Sequence, residues 1–442
     1  MVTAALRLRR AGDGRMIRRA ALASTAFALA LLVCATPAAA APIVVPATTD
    51  ADPVRAAEYW LDDYGIRTAW QTTRGSGVRI AVIDTGIARG PVEFSGAVVG
   101  GTDVSGSGSP DGRTPVGAVD SNHGSWVGSL AAGRGTAPDA GMIGVAPEAD
   151  LLSISVGFGS SATVPFTEQI AEAVTWAVDN GADIINMSLT TNVPDWDESW
   201  DDAFLHAYDN DVVVIVAAGN RASGTTRVGA PATIPGVLTV GGVDPSGRAS
   251  IDASTQGITI GVSAPSENLL GVSADGQLVQ WNGTSGAAPI VAGIAALVRS
   301  AHPELDADNV INRIIKTAKP TPGMKATPDL LYGYGLVDAA AAVSTSVPSV
   351  SANPMGSLEE WIRLYRRADA GPAPEQTAAP VVVAPLPAAD PAPPAASPLL
   401  PSRDTLLYGT LPLLMLTVTA ILVALGVTAA VRRIRSARTP SR

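Results

Sequence analysis

The sequence has 442 residues, 47% of them hydrophobic and 16% charged, enough to bury a sizeable core, and a formal net charge of −10. Arginines gather at both ends, so the intervening body is more acidic than the total suggests, which argues against a nucleic-acid partner. The one cysteine, Cys34, excludes an internal disulfide framework.

Residues 1–40 read as a secretory signal peptide. Arg7, Arg9, Arg10, Arg18 and Arg19 precede an apolar run over 20–33, which closes on Ala38, Ala39, Ala40 and Ala41. A retained membrane helix is the competing reading, but the run is short and ends beside Pro37. Cleavage near Ala40 removes Cys34 and leaves an exported chain. Residues 41–57 then form an N-terminal extension too short to fold as a domain of its own, and it is expected to lie over the globular body that follows.

From Val78 the chain repeats a short β-branched run, a glycine-rich or polar turn and a helical stretch. VRIAVID, LLSISV, DIINMSL, VVVIVAAGN and VLTVGGVD are predicted strands, continuously apolar as parallel strands covered on both faces are. Helices are predicted over 123–132, 167–180, 200–210 and 285–302, the second supported by the spacing of Ile170, Val174 and Val178. The fold class is α/β: a doubly wound, mostly parallel sheet with helices on both faces, spanning 58–345. Functional groups in such sheets gather at the carboxyl ends of the strands.

Asp84 ends VRIAVID ahead of Thr85 and Gly86, where an aspartate is either a turn former or a group presented at the sheet edge. DTG also suits an aspartic protease, but without a second copy that chemistry requires a dimer. His123 lies in DSNHGSWVGSLAAG at a predicted helix start; the other two histidines, His206 and His302, fall on a helix face and a helix end. The acidic run 195–202, DWDESWDD, could select basic substrates or hold calcium, yet it precedes a helix whose dipole favours acids, and its spacing is not that of an EF-hand. No metal ligands and no cofactor are assigned, and calcium is left open.

Asn220 ends VVVIVAAGN, where a carboxamide can donate to an oxyanion or simply make a turn. Ser285 lies in WNGTSGAAPIVAGIAALV, at the start of a small-residue helix whose amides and dipole point at the hydroxyl; a plain N-cap serine is the alternative. Pro289 is expected in the first turn of that helix, where proline is tolerated.

Residues 346–404 are assigned to a stalk, proline- and alanine-rich from about Ala368 to Arg403. The uncharged run over 406–431 predicts a transmembrane helix (405–431), long enough for a bilayer of about 30 Å. Arg432, Arg433, Arg435 and Arg438 follow, which places the 432–442 tail in the cytoplasm and the body outside the cell.

VIDTG, NHGSWVGSLAAG, AAGN and NGTSGAAPIVAG, in the order Asp, His, Ser, resemble the four signature blocks of the subtilase superfamily. The resemblance covers roughly 58–343. Within it the chain is most similar to the mycosins, membrane-anchored subtilases associated with type VII secretion, through EYWLDDYGIRTAW, LYGYGLVDAAAAV and the stalk and anchor that follow.

The resemblance implies a serine endopeptidase with Ser285 as nucleophile, His123 as general base, Asp84 as its orienting carboxylate and Asn220 as oxyanion donor. It implies that Ser188, Leu189 and Thr190 line the substrate cleft and Gly229 its pocket wall, with Ala230-Pro231 in cis. It also marks departures: Thr190 stands where glycine is usual, and Gly286 follows Ser285 where a bulkier residue is common. The implied partners are a peptide substrate, the membrane and a type VII secretion complex. A structural role in that complex, with proteolysis secondary, is the alternative.

Overall fold

The computed structural model describes residues 52–117, 121–366 and 410–436. The chain divides into two units, Met1–Asp369 and Ala370–Arg442. The expected signal peptide, most of the N-terminal extension and the Pro/Ala-rich run lie outside the described residues.

The described residues of the first unit form nine strands: β1 (Arg79–Asp84), β2 (Val98–Asp103), β3 (Asp150–Ser155), β4 (Ile184–Met187), β5 (Val213–Ala217), β6 (Leu238–Val243), β7 (Ile260–Pro265), β8 (Leu269–Val272) and β9 (Leu278–Trp281). Its helices are α1 (Pro53–Ala57), α2 (Trp60–Asp63), α3 (Ile66–Ala69), α4 (His123–Ala132), α5 (Phe166–Asp179), α6 (Ser199–Asp209), α7 (Thr284–Ala301), α8 (Ala307–Thr317), α9 (Ala339–Ser344) and α10 (Leu358–Tyr365). The four helices expected from sequence occur within a residue or so of their predicted ends.

Seven parallel strands form one sheet in the order β2-β3-β1-β4-β5-β6-β7, and β8-β9 form a separate antiparallel hairpin. From β1 the chain runs to the edge strand β2, returns to β3 beside β1, then crosses to β4 on the other side of β1 and on to β7, so the topological switch point lies at the carboxyl end of β1. Asp84 occupies that end.

Two cores flank the sheet. Ile80 and Val82 of β1 point into the one built with α4 and α7, whereas Ala81 and Ile83 point into the one built with α5 and α6. Because strand side chains alternate, Asp84 shares the parity of Ile80 and Val82 and faces the α4–α7 layer. Small residues let α7 lie close to its neighbours: a Cβ at Gly293 would come within 2.5 Å of Val145 and 3.1 Å of the Ala131 carbonyl.

Residues 346–366, expected to belong to the stalk, do not extend away from the body. Residues 346–366 are folded against the body: Asn312 and Asn309 donate to the carbonyls of Pro348 and Val350, Leu358 is buried, and α10 packs on α6. Serine and proline between 346 and 357 imitate a linker, but the Pro348 carbonyl and both backbone groups of Val350 are claimed by Asn312 and Asn309 of α8. In the second unit, α11 (Leu411–Ser436) is a 26-residue helix. An 18-residue window within Leu411–Arg433 has mean hydropathy 2.4, and every residue of that stretch is exposed, whereas the apolar helix α7 is mostly buried. By length and composition α11 is a candidate membrane span.

At the amino end Glu58 is buried. Its Oε1 accepts from the Ile143 amide at 2.9 Å, and its Oε2 has no hydrogen-bond partner. Burial pushes its pKa from 4.5 to about 8; the Ile143 N–H and the Arg55 guanidinium, 3.9 Å away, offset this only in part. The folded pKa lies above the unfolded one, so the contribution of Glu58 is complete below pH 4.5 and is lost as pH rises toward 8. Glu58→Gln should remove that loss, on the order of a few kcal/mol. Thermal melts at about pH 5 and about pH 8.5 should diverge less for the variant than for wild type; equal divergence would contradict the assignment.

Candidate active site

Asp84 is 1% exposed, and its carboxylate is held from two sides. Oδ1 accepts from the Thr85 amide at 2.7 Å, and His123 Nδ1 lies 2.8 Å from Oδ1 and 2.9 Å from Oδ2. Nδ1 therefore carries the hydrogen, and Nε2 is the nitrogen able to take a proton.

Thr85 couples the strand end to the helix. Its hydroxyl donates to the Ser121 carbonyl at 2.9 Å and accepts from the Gly124 amide at 2.8 Å, satisfying one of the open N–H groups at the start of α4. His123 is the first residue of that helix, so the threonine after Asp84 fixes where the imidazole stands. Trp281 lies edge-on to the imidazole at 5.7 Å and Trp126 at 6.2 Å. Their indole N–H groups are spent on the Leu270 carbonyl and the Ser273 hydroxyl, so both rings offer His123 a fixed apolar flank.

Ser285 is the second residue of α7, a helix whose N-cap, Gly283, has no side chain to offer. The capping oxygen comes from Asn220, beyond the end of β5: its Oδ1 accepts from the Thr284 amide at 2.8 Å and the Thr284 hydroxyl at 3.0 Å. An amide N–H can only face the carboxamide oxygen, so Nδ2 is the end left to donate. Gly283 makes this approach possible. Its φ of +152° is a conformation side chains disfavour, and a Cβ there would stand 3.0 Å from Asn220 Nδ2.

Pro289 sits in the second turn of α7 rather than the first, where it was expected, and lacks the N–H that would meet the Ser285 carbonyl. The Ser188 hydroxyl supplies the missing donor, at 2.8 Å. In return the Ser285 hydroxyl donates to the Ser188 carbonyl at 3.2 Å. Proline thus opens a place in the helix ladder, and the chain after β4 fills it.

Ser188, Leu189 and Thr190 line one cleft of about 490 Å³ with His123, Thr85, Val116, Gly117, Phe158, Ser160 and Ser161. Gly229 does not line it but lies behind Thr190, where a Cβ would come within 2.7 Å of the Thr190 hydroxyl. Ala230-Pro231 is cis, and so is Thr327-Pro328, which no sequence signal marked. At Gly286 the space beside the helix is taken: a Cβ would meet Leu269 at 2.2 Å and Trp281 at 3.3 Å.

The other histidines have local partners. His206 Nε2 is 2.9 Å from Asp179 Oδ1, and His302 Nε2 is 2.7 Å from the Val343 carbonyl. Of the 195–202 acids only Asp201 is buried. Asp201 accepts from the Trp196 indole at 2.7 Å and, with Glu198, pairs with Arg366 at 2.6 and 3.3 Å. Sequence reasoning also passed over Trp281, Trp126 and the role of the Ser188 hydroxyl. Only the indole beside His123 in the motif offered a signal.

The family model for the subtilases (Peptidase_S8) matches residues 75–335. Subtilisin DY of Bacillus licheniformis is 36% identical over 277 residues, 62% of this chain and 93% of its own. Mycosin-4 of Mycobacterium tuberculosis is 34% identical over 344 residues, 69% of this chain and 73% of its own. Among solved structures, MycP1 with its N-terminal propeptide removed aligns with a TM-score of 0.56 and 29% identity, over 66% of this chain and 98% of that one. The MycP3 protease from the type VII (ESX-3) secretion system aligns with a TM-score of 0.53 and 33% identity, over 65% and 88%.

Removing the Ser188 hydroxyl leaves the Ser285 carbonyl short of a donor, so Ser188→Ala should cost about 1–3 kcal/mol and lower the melting temperature by several degrees. In a Pro289→Ala background the helix regains its own N–H, and the same change should cost much less. Equal costs in both backgrounds would refute the substitution of one donor for the other.

Proposed function

Because this chain belongs to the subtilase family and is a serine endopeptidase of that kind, we propose that Asp84, His123 and Ser285 are its catalytic triad and Asn220 its oxyanion donor. The observation that carries the reading is the Asp84 carboxylate held against His123 Nδ1 at 2.8 and 2.9 Å, at the switch point of a doubly wound sheet.

Ser285 Oγ attacks the scissile carbonyl as His123 Nε2 takes its proton. The tetrahedral oxyanion accepts from Asn220 Nδ2 and the Ser285 amide. Collapse expels the amine, which receives the proton back from His123, and leaves an acyl group on Ser285. Water then attacks with the same base, the acid product leaves, and the serine regains its proton. Asp84 holds the tautomer and stabilises the imidazolium while the proton resides on it. The apolar flank of Trp281 and Trp126 keeps that charge from being screened on one side.

The substrate is an extended peptide paired to the backbone near Ser188, Leu189 and Thr190. The Thr190 side chain narrows the pocket backed by Gly229. Residues 58–366 are the catalytic body and α11 its single membrane anchor, with the body outside the cell and the tail after residue 432 in the cytoplasm. The likeness to mycosin-4 and to the MycP3 structure supports a place beside a type VII secretion complex.

Asn220→Asp keeps the oxygen that caps α7 and removes the donor. It should melt within a few degrees of wild type yet lose about 100- to 1000-fold or more in kcat on a peptide substrate. A loss under about tenfold would remove Asn220 from the oxyanion site. Type VII export separates cutting from scaffolding: the proteolytic role predicts failure in a Ser285→Ala strain, and export there but not in a deletion strain would make the structural role primary.

A further inference from the structure

The segment after β4 lines the cleft with Ser188, Leu189 and Thr190 and is then fastened at two further places. Near its middle, the Thr191 amide donates to the Ala230 carbonyl at 2.8 Å and the Ala230 amide to the Val193 carbonyl at 2.7 Å, with Thr233 Oγ1 donating to the Pro194 carbonyl at 2.6 Å. At its far end Trp196 packs on Trp361 of α10, with ring centroids 4.4 Å apart.

Arg366, immediately after α10, closes that contact. Its guanidinium lies 5.5 Å from the Trp196 ring and 5.3 Å from the Trp361 ring. Nη2 donates to the Trp196 carbonyl at 3.1 Å, and the charge pairs with Asp201 at 2.6 Å and Glu198 at 3.3 Å. The arginine side chain is 17% exposed and that of Asp201 10%, so this pair is shielded, whereas Glu198 reaches the arginine from the solvent side.

We propose that Trp361 and Arg366 are positioning residues for substrate selection, holding the far end of the 188–196 segment so that Thr190 and Leu189 stand at a fixed distance from His123. This deepens the protease reading and rests on it. Nothing in the clasp touches the triad, so its loss loosens the pocket without altering the chemistry. Arginine suits the task because a planar guanidinium can lie against two packed indoles while its fork serves a carbonyl and two carboxylates; lysine can supply only the charge.

The test uses the full chain in detergent and three readouts: hydrogen exchange of the 188–196 amides, KM and kcat on peptides, and hydrolysis of a small activated ester that does not fill the pocket. Arg366→Ala and Trp361→Ala should each speed exchange at 188–196 at least several-fold while leaving β1 and β4 unchanged. They should raise peptide KM about three- to tenfold with kcat within about twofold, equivalent to roughly 0.7–1.4 kcal/mol of binding. Ester hydrolysis should stay at the wild-type rate, and Arg366→Lys should recover only part of the peptide KM. Unchanged exchange and KM in folded variants would overturn the proposal, as would a fall in kcat and ester turnover alongside the rise in KM. If the wild type itself fails to hydrolyse the ester, the protease reading fails and the substrate role falls with it, whatever the exchange data show.

Discussion

The contact between Asp84 and His123 joins the centre of the sheet to the helix layer on one of its faces, and the candidate site is built outward from it. Three independent requirements meet there. The strand order places β1 at the switch point, the parity of β1 turns its last side chain toward α4 and α7, and Thr85 fixes the start of α4 so that the imidazole arrives. A one-residue slip of β1 would send Asp84 into the α5–α6 core instead, where a buried carboxylate without partners costs several kcal/mol.

The start of α7 shows the same economy of parts. A serine at a helix N-terminus needs close backbone approach, which calls for Gly283, and Gly283 leaves the helix without its own cap. Asn220 supplies the cap from beyond the end of β5 and thereby leaves its Nδ2 to donate. Pro289 removes a donor, and the segment that lines the cleft restores it through Ser188. Each of these side chains satisfies a backbone group and presents a functional atom at once, so stability and chemistry cannot be varied separately at these positions.

Much of this was legible in the sequence. β1, β3, β4, β5 and β6 are mainly apolar and buried almost throughout because both faces of the sheet are covered, and the motif residues fall at or just beyond their carboxyl ends or at the starts of α4 and α7. β2 escaped because VVGGTD is a partly exposed edge strand weakened by glycine; β7, at the other edge, ends in proline. The hairpin of β8 and β9 carries Trp281 to His123 by packing alone, with no spacing rule to reveal it. The acidic run 195–202 was ambiguous because its cation, Arg366, lies far away in the chain and is brought back only when α10 docks. For the same reason residues 346–366 looked like the start of a stalk: composition records what a segment cannot bury by itself, not what another element offers it.

The central claim is that Ser285 becomes the nucleophile because His123, steadied by Asp84, takes its proton. Incubation of the full chain with a fluorophosphonate, followed by proteolysis and mass spectrometry, tests it most directly. The account predicts one adduct, on Ser285, abolished by His123→Ala in a folded protein and strongly slowed by Asp84→Asn. A folded wild-type chain that acquires no adduct, or acquires it on another serine, would contradict it.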